Sequence, residues 1–333
     1  MNRVLGILFI VVLLYGLLMW SDENARSVSN QQTIANRLGF YGVLTVGVGV
    51  LIVSGGIDLS IGSVVGLGAV SYALLLARQW PPVVAALAVL AGSALIGLTH
   101  GLLVTRLHLQ PFLVTLCGLF IYRGLARWAT QTSVGLDVRD APSAYSARVE
   151  SLRQLLVGQT SGVPHQLLIL LAVTVLVGLF LHGTRYGRYL FAIGANAEAA
   201  RYAGIPTDRY KAVAYVICSV LAGLASLMYI FDNRTANPTS AGSWLELYAI
   251  TGAVLGGCSL SGGEGTVPGM FLGAAVLPLL RQICTFRGIP SEVEYAVIGT
   301  ALLVGTIIDE AIRHGIGPGA AIRWLRRRAA AGD

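Results

Sequence analysis

The stretch that most constrains this chain runs from Ser54 to Gly68 and reads Ser-Gly-Gly-Ile-Asp-Leu-Ser-Ile-Gly-Ser-Val-Val-Gly-Leu-Gly. It interrupts an apolar block that extends from Gly39 to Ala77. A helix needs only about 20 apolar residues to cross a bilayer, so the block is too long for one span. Two glycines let the chain break, and Asp58 would be costly facing lipid. The block therefore reads as two helices joined by a short polar turn that is buried in protein or lines a cavity. Two depths fit. The turn is either a plain connection at the membrane surface or the break of a discontinuous helix inside the bilayer. In both, Asp58 sits at a helix N-terminus, and in the second Asp58 and Ser60 accept from its free N–H groups.

The rest of the chain repeats the pattern of apolar runs and short polar breaks. Of 333 residues, 55% are hydrophobic and only 12% charged, a balance that excludes an ordinary soluble domain. Apolar runs lie at 4–20, on both sides of the Gly55-Gly56 turn, and at 83–104, 111–128, 167–182, 212–231, 245–260, 267–284 and 295–308. No small-x-small cleavage site follows the first, so it reads as an uncleaved span. The expectation is one all-α, polytopic membrane domain of about ten transmembrane helices, some of them broken.

Two polar stretches stand out. Residues 131–163 carry balanced charge, whereas 184–211 carry five of the 23 basic residues. Basic residues divide almost evenly between the two sides of a ten-span chain. The two densest clusters, in 184–211 and in the 313–333 tail, fall on the same side when both termini are cytoplasmic. That orientation makes 131–163 a periplasmic loop and 184–211 a cytoplasmic one. In the latter, Asn196 is a good N-cap, Ala197 to Tyr202 read as two helical turns, and Gly204 as their stop. Glu198 and Arg201 then share a face. A helix this short is not stable alone in water and needs something to dock on; an amphipathic connector lying on the membrane is the alternative.

A faint internal echo accompanies these features. A shift of 207 residues places Ser54, Gly55, Gly56, Gly62 and Gly66 on Ser261, Gly262, Gly263, Gly269 and Gly273 without a gap. We read it as a duplication that builds two facing half-sites.

Three stretches together resemble the inner-membrane permease subunits of bacterial ABC importers for ribose and related sugars. They are Gly55-Gly56-Ile57-Asp58-Leu59-Ser60-Ile61-Gly62-Ser63; the Gly187-Arg188 to Gly204-Ile205 loop with its Ala192-Ile193-Gly194-Ala195-Asn196 core; and Leu245-Glu246-Leu247-Tyr248-Ala249-Ile250 followed by Ser261-Gly262-Gly263. The resemblance covers roughly Gly39 to Asp309. The chain departs from the family pattern at Glu264, where a basic residue is usual, and at Tyr248, where an acid is usual. The resemblance implies a pore subunit of the bacterial inner membrane. It would pair with a second permease, identical or related, and be driven by cytoplasmic ABC ATPase subunits and fed by a periplasmic sugar-binding protein. It further implies that the 184–211 loop is the ATPase-coupling element, with Arg188, Asn196, Glu198, Arg201 and Gly204 as its residues. The 131–163 and 231–243 stretches would then face the binding protein.

Polar groups that would line a translocation path are Asp58, Ser60, Ser63, Thr115 and Glu246, although Ser and Thr in spans more often bond to neighbouring helices. No phosphate-binding Gly-x-x-x-x-Gly-Lys motif occurs, so ATP hydrolysis is expected from a separate subunit. No catalytic constellation, metal-ligand spacing or cofactor fingerprint is legible, and the basic residues punctuate apolar runs rather than forming a nucleic-acid patch. The four cysteines and five histidines read as structural. An ion-coupled secondary transporter is the alternative and would rest on an acid deep in the spans, for which Asp58 is the one candidate.

Overall fold

A computed structural model of the chain describes residues 3–136 and 142–290, with isolated positions as far as 303. It is helical almost throughout. The helices relevant here are α1 (Arg3–Ser21), α2 (Val28–Val53), α3 (Ile61–Ala77), α4 (Pro82–Thr105), α5 (Pro111–Ala129), α6 (Ser143–Val157), α7 (His165–Gly178), α8 (Arg185–Ala195), α9 (Ala197–Tyr202), α10 (Thr207–Asn233), α11 (Leu245–Leu255) and α12 (Val267–Phe286). Among the described residues, seven helical segments are long and apolar enough to cross a membrane. Nine of the ten expected spans coincide with helices. The tenth, 295–308, and the 313–333 tail fall almost wholly outside the described residues.

Two of the nine fall short of a full crossing. At 1.5 Å per residue, α3 covers about 25 Å and α11 only about 16 Å, against a hydrocarbon core of about 30 Å. The expected span at 245–260 therefore stops halfway. Its apolar sequence continues past Leu255, but Gly256 caps the helix and the chain turns at Gly257, where φ is +89°. α3 and α11 are thus the two short helices of the set, each preceded by a non-helical segment.

The core explains the arrangement. α2 is buried along most of its length, with Val43 to Val53 shut off from solvent apart from its packing neighbours. It lies among α7, α10, α11 and α12. Glycines permit the closest approaches: a Cβ at Gly97 or Gly101 would strike the backbone of α10 at Tyr215, Val216 or Ala212. Around this centre, α1, α4, α5 and α7 expose wide apolar faces, as lipid-facing helices do.

The two polar stretches are more ordered than a loop reading predicts. Within 131–163 the chain forms α6 and two short antiparallel pairings, Val134–Gly135 with Thr235–Ala236 and Gln159–Thr160 with Val163–Pro164. Most of 184–211 is helix. The 231–243 stretch is mostly exposed, and at Ala241 and Gly242 it packs against α3: Cβ atoms at Gly66 and Gly62 would strike the Ala241 and Gly242 carbonyls.

Candidate translocation site and coupling helix

The Gly55-Gly56 turn is open at Gly55, which is exposed, and the chain runs inward from it. α2 ends at Val53, and Gly55 takes φ +75° to reverse the chain. Ser54, Asp58 and Ser60 have no exposed surface. His100 of α4 stands beside Asp58, with Nδ1 3.6 Å from the Asp58 Oδ2. It is five residues, about 7 Å, short of the end of α4. That end borders the segment after α9, since Leu102, Thr105 and Arg106 share a cleft with Arg201, Ile205 and Thr207. The acid therefore lies more than a helical turn inside the molecule from the face that carries α9. Gly55 itself lies against Gly194, two residues before the N-cap of α9, so the turn starts near that face and the chain carries Asp58 inward from it.

Asp58 organises the start of α3. Its Oδ1 accepts from the Ser60 N–H at 2.7 Å and from the Ser60 hydroxyl at 2.6 Å. The Ser63 hydroxyl donates to the Ser60 carbonyl at 2.7 Å. Ser60 occupies the N-cap position without a side-chain cap bond, so the expectation that its oxygen caps α3 fails. The reason is local geometry: Ser60 already has helical backbone angles, φ −87° and ψ −10°, whereas a capping residue is extended. The second oxygen of Asp58 and Nδ1 of His100 have no hydrogen-bond partner. The other ring nitrogen, Nε2, lies 2.9 Å from the Tyr122 hydroxyl, and Tyr215 donates to the Ile57 carbonyl at 3.4 Å.

Glu246 approaches this cluster from the other short helix, α11. It is the second residue of α11, where a carboxylate suits the positive end of the helix dipole. A Cβ on Gly62 would overlap its Oε2, so the first turns of α3 and α11 are in contact. Glu246 lies in the electrostatic field of Arg123 and Asp58, and its Oε2 is buried with no hydrogen-bond partner. Arg123 ties α5 to the segment before α11 by donating to Ser243 Oγ at 2.7 Å and to the Thr239 carbonyl at 3.2 Å. Asp58, Ser60, Ser63 and Glu246 are thus brought together. Thr115 sits one turn before Gly118, which abuts His100, but its hydroxyl donates to the Pro111 carbonyl of its own helix at 2.9 Å.

The expected short helix α9 is present with its predicted bounds. Asn196 Oδ1 accepts from the N–H groups of Glu198 at 3.1 Å and Ala199 at 2.9 Å, and Gly204 takes φ +80° at the stop. Arg188 and Glu198 are exposed. Arg201 is turned back onto the start of α10, where its guanidinium meets Asp208 Oδ1 at 3.1 Å and Thr207 Oγ1 at 3.3 Å.

The two echoed Gly-Gly turns meet each other next to this helix. The Gly263 N–H donates to the Val53 carbonyl at 2.9 Å, and a Cβ on Gly262 would come 2.9 Å from Gly55 Cα. Gly194, near the end of α8, closes the junction: a Cβ there would strike the Val53 carbonyl and the Gly263 nitrogen. Backbone from three distant segments therefore touches at one point, between α9 and both turns.

Two elements of the site were beyond sequence reasoning. His100 stands 42 positions from Asp58, and nothing local to either residue pairs them. Arg123 likewise carries no spacing signal toward Ser243.

Comparison with known proteins places the chain. The family described as branched-chain amino acid transport system / permease component matches residues 30–306. The ribose import permease protein of Escherichia coli strain K12 is 30% identical over 302 residues, covering 91% of this chain and 92% of that protein. The fructose import permease protein of Bifidobacterium longum is 32% identical over 270 residues, covering 81% and 79%. The autoinducer 2 import system permease protein of Klebsiella pneumoniae is 29% identical over 305 residues, covering 91% and 89%. No solved structure matches. With a family match over residues 30–306 and relatives that span most of its length, the chain belongs to the family of branched-chain amino acid transport system permease components.

Proposed function

We propose that this chain is the membrane-spanning subunit of an ATP-driven importer of a monosaccharide. In this reading it does not hydrolyse ATP. Cytoplasmic ABC ATPases dock on α9, a periplasmic sugar-binding protein delivers the substrate, and a second permease completes the pore. Both termini face the cytoplasm. The relatives' names supply the substrate class. The observation that carries the mechanism is the backbone junction at Gly194, which links α9 to the turns preceding α3 and α12. A push on α9 reaches the short helices α3 and α11 through backbone rather than through flexible side chains. Alternating access follows if that push moves the starts of α3 and α11 relative to each other, opening and closing the route past Asp58, Ser60, Ser63 and Glu246. Thr115 borders that route through its helix.

The test is co-purification of the tagged chain from its native host, followed by uptake in proteoliposomes. A P-loop ATPase in the complex and sugar uptake that requires ATP support the proposal. A chain that purifies alone in several detergents removes it. Glu198→Arg is the sharper variant, because Glu198 is exposed while Arg201 is engaged with Asp208. It is expected to weaken ATPase association and leave the permease folded.

A second reading, ion-coupled transport, is favoured by one observation: the buried Asp58–His100 pair sits within the spans. It predicts uptake abolished by a protonophore and indifferent to ATP, the reverse of the first reading.

A further inference from the structure

On the side of the molecule opposite α9, a cavity of about 330 Å³ opens between α2, α10, the turn before α11, and the helices α11 and α12. Its lining combines two kinds of surface. Phe40, Tyr41, Tyr229 and Tyr248 form a continuous aromatic wall, with ring centroids 5.3 to 6.2 Å apart between neighbours. Facing the same space are Asn36 and Gln166, whose Oδ1 and Nε2 are buried and have no hydrogen-bond partner. Gln166 is only 1% exposed.

Such buried orphans are costly unless something polar satisfies them, and here they provide one acceptor and one donor. The lining carries two arginines, Arg37 and Arg281, against one acid, Asp232. Asp232 lies in the field of Arg37, and Arg281 already donates to the Tyr41 hydroxyl at 3.2 Å. With one positive charge in excess, the lining disfavours a cation. The chemistry suits a neutral molecule with an apolar face and a hydroxylated edge. The volume is at the small end of ligand pockets, which run from about 300 Å³ upward, so it fits one sugar ring and not a chain of them.

We propose that this cavity binds a single neutral monosaccharide, its ring face on the Tyr41–Tyr248 wall and its hydroxyls on Asn36 and Gln166. Gly242 and Leu245 form part of the cavity wall, and Glu246 follows immediately in sequence, against Gly62. The cavity is therefore an antechamber to the cluster at the starts of α3 and α11. The inference rests on the proposed sugar import, and the experiment separates the two.

The full transporter, co-purified with its ATPase and supplied with its binding protein, is reconstituted in proteoliposomes. It is given labelled D-ribose, D-fructose, D-xylose and D-galactose in turn. Import of none by the wild type removes the proposed function and this inference with it. Where the wild type imports a sugar, Asn36→Ala and Gln166→Leu are expected to lose at least tenfold of that uptake while keeping the co-purified ATPase. Ser240→Trp fills the cavity from an exposed position and is expected to do the same, which guards against Gln166→Leu failing to fold. Uptake within twofold of wild type in both Asn36→Ala and Ser240→Trp overturns the inference and leaves the proposed function standing.

Discussion

Replacing Gly194 by alanine measures the junction directly. In an ordinary helix the change would stabilise by roughly 0.5–1 kcal/mol, because glycine loses more backbone entropy on folding. At Gly194 the added methyl overlaps the Val53 carbonyl oxygen and the Gly263 nitrogen, the two ends of one hydrogen bond. Both obstacles are backbone, so neither can rotate away. Forcing a methyl into a packed site costs about 1–3 kcal/mol, and leaving a buried backbone pair unbonded adds about 1–3 kcal/mol. The steric terms outweigh the propensity gain, and the net is a destabilisation of about 1–5 kcal/mol by those same figures. Gly124 on α5 is the control, since nothing lies within 4 Å of its added Cβ. There only the propensity term acts, and alanine should stabilise by up to about 1 kcal/mol. Thermal unfolding in detergent, followed by tryptophan fluorescence, reads both. The expected result is a midpoint lowered by several degrees for Gly194→Ala and unchanged or raised for Gly124→Ala. Shifts of the same sign and size would refute the reasoning, because the junction would then carry no packing.

Three other outcomes are expected. Asn196→Ala removes both side-chain cap bonds of α9, a loss of about 1 kcal/mol that stays local; amide exchange at 198 and 199 should quicken and ATPase recovery fall, with global unfolding unmoved. Arg123→Ala cuts the tie from α5 to Ser243 and Thr239; sugar uptake should drop severalfold while the ATPase still co-purifies, and equal loss of both would contradict a role confined to that segment. Glu150 of α6 is held below the usual carboxylate range by its bonds from Gln154 and Arg153. A carboxyl depressed on folding stabilises above its unfolded value of 4.5 and ceases to as pH falls through the folded one. The protection of α6 from exchange should therefore weaken in acid, and Glu150→Gln should flatten that dependence; an unchanged profile would show the exposed carboxylate contributes nothing.

What the sequence revealed and what it hid divide along one physical line. The bounds of α9 were legible because a cap and a stop act within a few residues: Asn196 needs only Glu198 and Ala199, and Gly204 only its own φ. The break at Gly55-Gly56 was legible for the same reason, but the burial of Asp58 just after it was not, because that depends on His100 and Tyr215 on other elements. The 245–260 run has the composition of a span, and its early stop comes from Gly256, Gly257 and the packing of Gly262 on Gly55. The shift of 207 residues pointed to paired turns; that they touch each other and Gly194 is a tertiary fact. Ser60 misled because its chain position suits a cap, while its backbone is already helical.

The brevity of α11 has a consequence for how the protein is made. Insertion machinery admits segments by apolar length, and an 11-residue helix of about 16 Å does not qualify as a crossing segment on its own. When synthesis has reached only Gly257, α2 and α3 already offer this piece one side of its seat. The other side is missing until α12 is inserted, since Gly252 and Gly256 also pack against the Gly269–Ala274 stretch of that helix. Topology is thus laid down first by the long helices, and the interior is completed afterwards by segments that fold into place within the bilayer. A ribosome paused between Gly257 and Phe286 would hold a chain whose crossings are mostly fixed but whose central passage does not yet exist.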